Sequence, residues 1–288
     1  MSISKLFAEK SVVFSFEIFP PKRDSSIDTI WNTLEQLEGL GPDFISVTYG
    51  AGGGGGKSYT AQIAGAIRRK YGILPLAHLT CVNSTREEIR QSLADLREEG
   101  VEDILALRGD RIPGVEPKTD FAHASDLIAF IREEGGFSLS GACYPEVHTE
   151  APDPVTDVLN LKKKVDAGAE HLISQLFFDN AAFYAFVERA RIAGITVPIE
   201  AGIMPVVNAR QITRMVSLCG ASLPQKFVRM ISRYEGNPAA LRDAGIAYAV
   251  DQIVDLIAQG VEGIHLYTMN DPAVARRISG AVENLRKA

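Results

Sequence analysis

Glu17 stands in Ser15-Phe16-Glu17-Ile18-Phe19-Pro20-Pro21, a carboxyl group set among aromatic and β-branched side chains. Little water reaches such a position. Desolvation disfavours the charged form of a carboxyl, and a general acid working near neutral pH needs that bias. The competing reading is a rim glutamate paired with an Arg or Lys, and the stretch alone does not choose between them. Polar groups follow other apolar runs in the same way: Thr48, His78, Arg108 with Asp110, Tyr144 with His148, Gln175 and Tyr267. Any one of them could be structural, but their recurrence after successive apolar runs marks a site.

A second feature could carry chemistry of another kind. Ala51-Gly52-Gly53-Gly54-Gly55-Gly56-Lys57-Ser58 approximates the phosphate-binding pattern G-x-x-x-x-G-K-[ST]. Backbone N–H groups and a helix N-terminus would attract phosphate there. Against a P-loop NTPase, Ala51 replaces the first glycine, and five successive glycines carry a large ordering cost that suits a flap better. The strand-end aspartate, Asp110, also follows an arginine and a glycine, unlike a plain apolar strand ending in a magnesium-binding Asp.

Strand-like and helix-like patterns alternate along the whole chain. The strands are expected at Val12–Phe19, Phe44–Tyr49, Leu74–Cys81, Asp103–Arg108, Ser138–Tyr144, His171–Phe178, Pro198–Met204 and Gly263–Met269. Between and after them, helices are expected at Ile27–Leu40, Tyr59–Tyr71, Thr85–Glu99, Ala122–Glu134, Pro154–Ala167, Ala181–Ala193, Ala209–Leu218 and Pro272–Arg286. Extra helical material fills Pro224 to Gln259. Ser84 or Thr85 serves as N-cap of the third helix and Gly100 as its stop. Runs such as Ile104-Leu105-Ala106-Leu107 have the near-continuous apolar character of buried parallel strands. Eight β-α units in one chain predict an α/β fold, a single-domain (β/α)8 TIM barrel over residues 1–288, with a doubly wound open sheet as runner-up. In a barrel the polar groups above would share its C-terminal face.

Composition bounds the rest. The chain has 288 residues, 46% hydrophobic and 23% charged, which describes an ordinary globular protein. A formal charge of −6 without basic runs argues against a nucleic-acid partner, and no stretch is apolar enough to span a membrane. Cys81, Cys143 and Cys219 are few and far apart, suit a reducing cytoplasm and fit no disulfide or zinc pattern. No metal site is expected.

Taken in order, Ser15 to Pro21, Ser46-Val47-Thr48-Tyr49-Gly50-Ala51, Ala77-His78-Leu79-Thr80-Cys81 and Ala106-Leu107-Arg108-Gly109-Asp110 resemble the methylenetetrahydrofolate reductases, in particular the bacterial single-domain type. Tyr144-Pro145-Glu146-Val147-His148, Asn160 to Ala169, Gln175-Leu176-Phe177-Phe178-Asp179 and Leu266-Tyr267-Thr268-Met269-Asn270 continue the resemblance across essentially the whole chain. It implies FAD as cofactor and reduction of 5,10-methylenetetrahydrofolate to 5-methyltetrahydrofolate by NADH or NADPH, a step of one-carbon metabolism that supplies methionine. It further implies Glu17 as general acid and Asp110 between flavin and pterin.

The same resemblance assigns the flavin to Thr48, Tyr49, Ala51, His78, Arg108, Gly109, Asp110, Tyr144, His148, Asp157, Asn160, Lys163 and Lys164, with His123 and Ala124 at its adenosine part. Folate and nicotinamide fall to Asp110, Gln175, Gln211, Met215, Tyr267 and Asp271. Four features depart from the family pattern. The glycine loop lacks the usual Arg and Glu, His123 stands for a tyrosine, Met215 for a phenylalanine, and Asp271 for an arginine familiar at the folate glutamate. Asp271, just before Pro272, is equally placed to cap the last helix. A folate- or flavin-binding protein without turnover remains the alternative of a different class. The sequence leaves the donor, and a homo-oligomeric state, open.

Overall fold

The computed structural model describes residues 2–21, 26–49, 59–111, 114, 116–208, 212, 215–216 and 219–288. The glycine run with Ala51 and Lys57, Gln211, and most of the helix expected over 209–218 lie outside them. The strands are β1 (Val13–Ile18), β2 (Phe44–Val47), β3 (Leu74–Thr80), β4 (Asp103–Leu107), β5 (Ser138–Cys143), β6 (His171–Ser174), β7 (Ile199–Ile203) and β8 (Gly263–Tyr267). All neighbours are parallel, and β8 returns to β1, so the sheet closes in sequence order as a (β/α)8 barrel rather than opening as a doubly wound sheet.

Alternation along each short strand sends one set of side chains to the helices and the other into the lumen. In β1, Phe14, Phe16 and Ile18 join the core between strands and helices, while Val13, Ser15 and Glu17 face the lumen. The helices that cover the barrel are α2 (Asp28–Glu38), α3 (Tyr59–Tyr71), α4 (Arg86–Glu98), α5 (Ala124–Glu134), α6 (Pro154–Ala167), α7 (Asn180–Ile192), α8 (Gln225–Tyr234), α9 (Pro238–Ala258) and α10 (Pro272–Arg286). Thr85, not Ser84, caps α4, in a capping box with Glu88, and Gly100 follows at φ 72°. The helical material from Pro224 to Gln259 is two helices. Asn237 caps the second by accepting from Ala240 N, and Pro238 takes its first position, so the chain restarts there.

One helix was not foreseen. α1 (Ile3–Glu9) precedes β1, and its Ile3 and Leu6 close the floor of the barrel with Val13, Phe44, Leu76, Leu105 and Ile173. Asp103, at the start of β4, accepts from Ile3 N at 2.9 Å and anchors this helix; burial raises its carboxyl to about 6. No helix among the described residues is long and apolar enough to cross a membrane. All three cysteines are buried free thiols.

Above the floor, the upper lumen is crowded. A Cβ at Gly202 on β7 would lie 2.2 Å from the Ser174 carbonyl oxygen and 2.8 Å from the Tyr267 hydroxyl. Only glycine lets β7 approach these groups. Gly202→Ala is therefore expected to lower unfolding free energy by about 1–3 kcal/mol, the usual range for overpacking. Urea denaturation checks this, and a variant as stable as the parent would contradict the close approach.

Candidate active site

The closing register places Glu17 beside Ser46 on β2 and Tyr267 on β8. Its side chain is only 9% exposed, with Oε2 3.5 Å from His78 Nε2 and 3.6 Å from His265 Nε2. Among the described residues no Arg or Lys comes within ion-pair distance of it; the groups within that distance are the two imidazoles. Two ties from the β8 exit fix the main chain here. Thr268 Oγ1 donates to the Glu17 carbonyl at 2.6 Å. The Asn270 side chain brackets Phe19, accepting from its N–H at 2.9 Å and donating to its carbonyl at 2.8 Å. Met269 and Asn270 sit in the left-handed region, at φ 52° and 56°, and Asn is among the residues that tolerate it.

His78 is enclosed beside the carboxyl. Burial pushes its imidazole down to about 4, against the pull of Glu17, so it is neutral at physiological pH. Its Nε2 is buried without a hydrogen-bond partner among the described residues. Tyr267 donates to the Ser174 carbonyl at 2.8 Å and stands edge-on to His265, with ring centroids 5.3 Å apart. Burial, helped by the charge of Glu17, pushes its phenol well above the ordinary value.

A second group gathers over β4, β5 and α6. Gly109 turns the chain at φ 84°, where a Cβ would meet Thr80 Cβ at 2.9 Å. Arg108 makes a bidentate pair with Glu150 at 2.6 and 2.7 Å, and these bonds hold the Glu150 carboxyl at about 2. Asp110 is exposed; its charge adds to burial in raising the Tyr144 phenol to about 12 and the Cys219 thiol to about 11. The Tyr144 and His148 rings meet edge-on at 4.6 Å, across a turn in which Val147 takes φ 82°. His148 N donates to Asp157 at 3.2 Å. Burial, then the nearby Arg108, lowers the His148 imidazole, and burial raises the Asp157 carboxyl.

Lys164 reaches in from α6 to donate to the Ala142 carbonyl at 2.8 Å; burial lowers its ammonium. Among the described residues no carboxylate lies within ion-pair distance of it. Gln175 accepts from Leu176 N at 2.8 Å through Oε1, which leaves its amide NH₂ as the donor end. Met215 joins Leu176, Phe178 and Met204 in an apolar wall.

Other expected residues lie apart from this centre. Thr48 sits at the mouth, its N–H bonded to the Ile18 carbonyl, but the Tyr49 hydroxyl faces Ser92 and Glu88 on α4, in the helix layer. An aromatic contact from the mouth does not fit that side chain, because parity after Thr48 sends it outward. Asn160 and Lys163 are exposed and bonded to each other at 2.9 Å. His123 is exposed at the N-cap of α5, and Ala124 beside it is buried. Asp271 caps α10, accepting from Val274 N at 3.1 Å, and pairs with Arg242 at 2.8 and 3.0 Å. Burial opposes ionisation there, but Arg242 and the backbone donors outweigh it and lower the carboxyl. The capping reading therefore describes its position.

Sequence reasoning passed over Ser15, Ser46, His171, Glu200, His265, Thr268 and Asn270. The available signal was period two: Ser15 precedes Glu17, and His265 precedes Tyr267, by two residues and so share their face.

The depressed His78 has a consequence for stability. Below about pH 6.5 the unfolded chain binds a proton on this residue that the folded chain refuses down to about pH 4. Stability from it is thus lost as pH falls through that window. Asp103, raised to about 6, acts with the opposite sign. His78→Gln should flatten the fall by about 1.4 kcal/mol per pH unit at its steepest, one proton's worth. Urea titrations across the window compare the two proteins; parallel curves would contradict a neutral buried His78.

A family model described as methylenetetrahydrofolate reductase matches residues 2–283. The 5,10-methylenetetrahydrofolate reductase of Pectobacterium carotovorum subsp. carotovorum is 38% identical over 256 residues, covering 89% of this chain and 85% of that protein. The Escherichia coli K12 protein of the same name is also 38% identical, over 89% and 86%. In Arabidopsis thaliana, methylenetetrahydrofolate reductase (NADH) 1 is 34% identical over 93% of this chain and 48% of its own length. Among solved structures, an uncharacterized Clostridium thermocellum protein that binds two copies of 5-methyl-5,6,7,8-tetrahydrofolic acid superposes with TM-score 0.66 over 98% of both chains. At 14% identity it shares the fold. The barrel, its carboxyl-bearing mouth and these whole-chain matches agree: this chain belongs to the methylenetetrahydrofolate reductase family.

Proposed function

We propose that this chain reduces 5,10-methylenetetrahydrofolate to 5-methyltetrahydrofolate, with FAD as its cofactor and NADH or NADPH as electron donor. The observation that carries the reading is Glu17, a carboxyl enclosed at the barrel mouth with imidazoles for neighbours and, among the described residues, no Arg or Lys within ion-pair distance. The residues present fit FAD. Among the described residues, Lys164 is an inward-reaching cation without a carboxylate in ion-pair distance, suited to an anionic group such as a pyrophosphate, and His78 Nε2 has no hydrogen-bond partner. Gly109 allows close approach of a ligand to the backbone. Thr48, Arg108, Tyr144, His148, Asp157, Asn160 and Lys163, with His123 and Ala124 at the far end, would complete the cradle. Tyr49 would contribute through its main chain, because its ring lies in the helix layer.

FAD, when bound, supplies the hydride that reduces the methylene carbon. Glu17 delivers the proton that opens the five-membered ring of the folate to a cationic iminium. The Asp110 carboxylate, just beyond the end of β4, would favour that positive charge, and the NH₂ of Gln175 would offer the pterin a donor. Met215 and the apolar wall around it exclude water from one side. Arg108 would have to exchange Glu150 for the ligand.

Glu17→Gln should keep flavin and its reduction by the donor, while reoxidation by methylenetetrahydrofolate slows about 100-fold or more, the usual worth of a positioned acid. Stopped-flow absorbance of the flavin reads both half-reactions. Near-normal folate reduction would overturn the assignment.

A further inference from the structure

Glu200 on β7 is a carboxyl with no solvent exposure, and among the described residues no Arg or Lys lies within ion-pair distance of it. Burying such a group is costly unless every lone pair finds a donor. The fold makes room for it: a Cβ at Gly263, its neighbour on β8, would fall 2.5 Å from Glu200 Cγ. Oε1 accepts from Ser15 Oγ at 3.0 Å, and Oε2 meets His171 Nε2 at 3.0 Å. A glutamate at this depth, in a layer that apolar side chains could fill, calls for a function.

The directions of the hydrogen bonds supply one. Ser15 Oγ donates to Glu200 Oε1, and a hydroxyl has one proton to give. Ser15 Oγ must then accept from His265 Nδ1, 2.6 Å away. That fixes the Nδ1–H tautomer of His265 and leaves Nε2 as a bare acceptor. Nε2 faces Glu17 Oε2 at 3.6 Å and Ser46 Oγ at 3.4 Å. On the other side, His171 donates to Glu200 through Nε2 and accepts from Ser140 Oγ through Nδ1 at 3.0 Å. Below, the line is sealed. Phe44 stacks on His265 with centroids 6.1 Å apart and meets His171 edge-on, and Phe7 lies 4.7 Å from the His171 ring. Among the described residues the line opens upward, towards Ser46 and Glu17.

We infer that Glu200 is a positioning residue for the reaction: through Ser15 it sets the tautomer of His265, whose bare Nε2 faces the carboxyl of Glu17 and favours its protonated form. The inference rests on Glu17 being the proton donor. With Glu200 as an amide, Ser15 is free to turn its proton to His265. The imidazole can then carry its proton on Nε2, towards Glu17, and support the carboxylate instead. The groups facing Glu17 are Ser46 from β2, His78 from β3, and His265 and Tyr267 from β8; Glu200 faces Ser15 and His171. His78 is lowered to about 4 and Tyr267 raised, so neither changes charge between about pH 6 and 9.

The test measures reoxidation of pre-reduced holoenzyme by methylenetetrahydrofolate across pH. In Glu200→Gln the alkaline fall in rate should begin about one unit lower, with about tenfold less activity at the alkaline end. Flavin content and donor-driven flavin reduction should match the parent. Ser15→Ala, which breaks the same line while keeping the Glu200 carboxyl, should shift the profile the same way and serves if Glu200→Gln does not fold. A profile that keeps its shape, whether at full rate or uniformly lowered, overturns the inference. Glu17→Gln run alongside separates the two levels: if it still reduces folate, the donor assignment fails and this inference with it. If it does not, an unshifted Glu200→Gln profile indicts Glu200 alone.

Discussion

Pairing of β1 with β8, with Glu17 in register against Tyr267, joins the two ends of the chain and creates the site as it closes the barrel. Ser15 and His265 lie 250 residues apart and meet at 2.6 Å only because of this closure. The same seam carries the ties that aim the carboxyl. Thr268 holds the Glu17 carbonyl, and Asn270 holds both polar groups of Phe19, just ahead of the two prolines where regular pairing stops. Loss of the seam would leave a stack of β-α units with no enclosed acid.

Two kinds of burial meet at that seam and act differently. His78 is enclosed with no hydrogen-bond partner for its Nε2 among the described residues, and burial keeps it neutral beside Glu17. Glu200 is enclosed with a hydrogen-bond partner on each oxygen, Ser15 on one and His171 on the other. A line of polar groups thus runs through an otherwise packed interior, with aromatic rings at its lower end and the acid at its upper end. Polar groups over β4, β5 and α6, among them Lys164, Tyr144 and Asp110, stand apart from that line and suit the proposed cofactor.

Much of the fold was legible because each strand is a short apolar run punctuated by Pro, Gly or a polar residue, and because alternation of strand and helix leaves few architectures. Glu17 was legible for the same reason, as a charge where the pattern demands an apolar residue. The floor helix α1 was not, since Ile3 and Leu6 show their purpose only against Phe44 and Leu105. The helix break at Asn237 was lost within a long helical pattern. Glu200 and His171 sit in strands whose companions come from elsewhere in the barrel, and no local spacing links them to Ser15. Side-chain parity explains Tyr49, one residue beyond Thr48 and turned towards α4. Asp271 had two readings in sequence; its bonds to Val274 and Arg242 give it the cap.

The central claim is that a fixed direction of hydrogen bonds, running from Glu200 through Ser15 to His265, presents Glu17 with an acceptor. Nitrogen-15 NMR of the histidine rings measures this most directly, with His265 assigned by comparison with a His265→Gln variant. In the parent protein at neutral pH the His265 signals should report a proton on Nδ1 and none on Nε2. A proton on Nε2 in the parent would contradict the account.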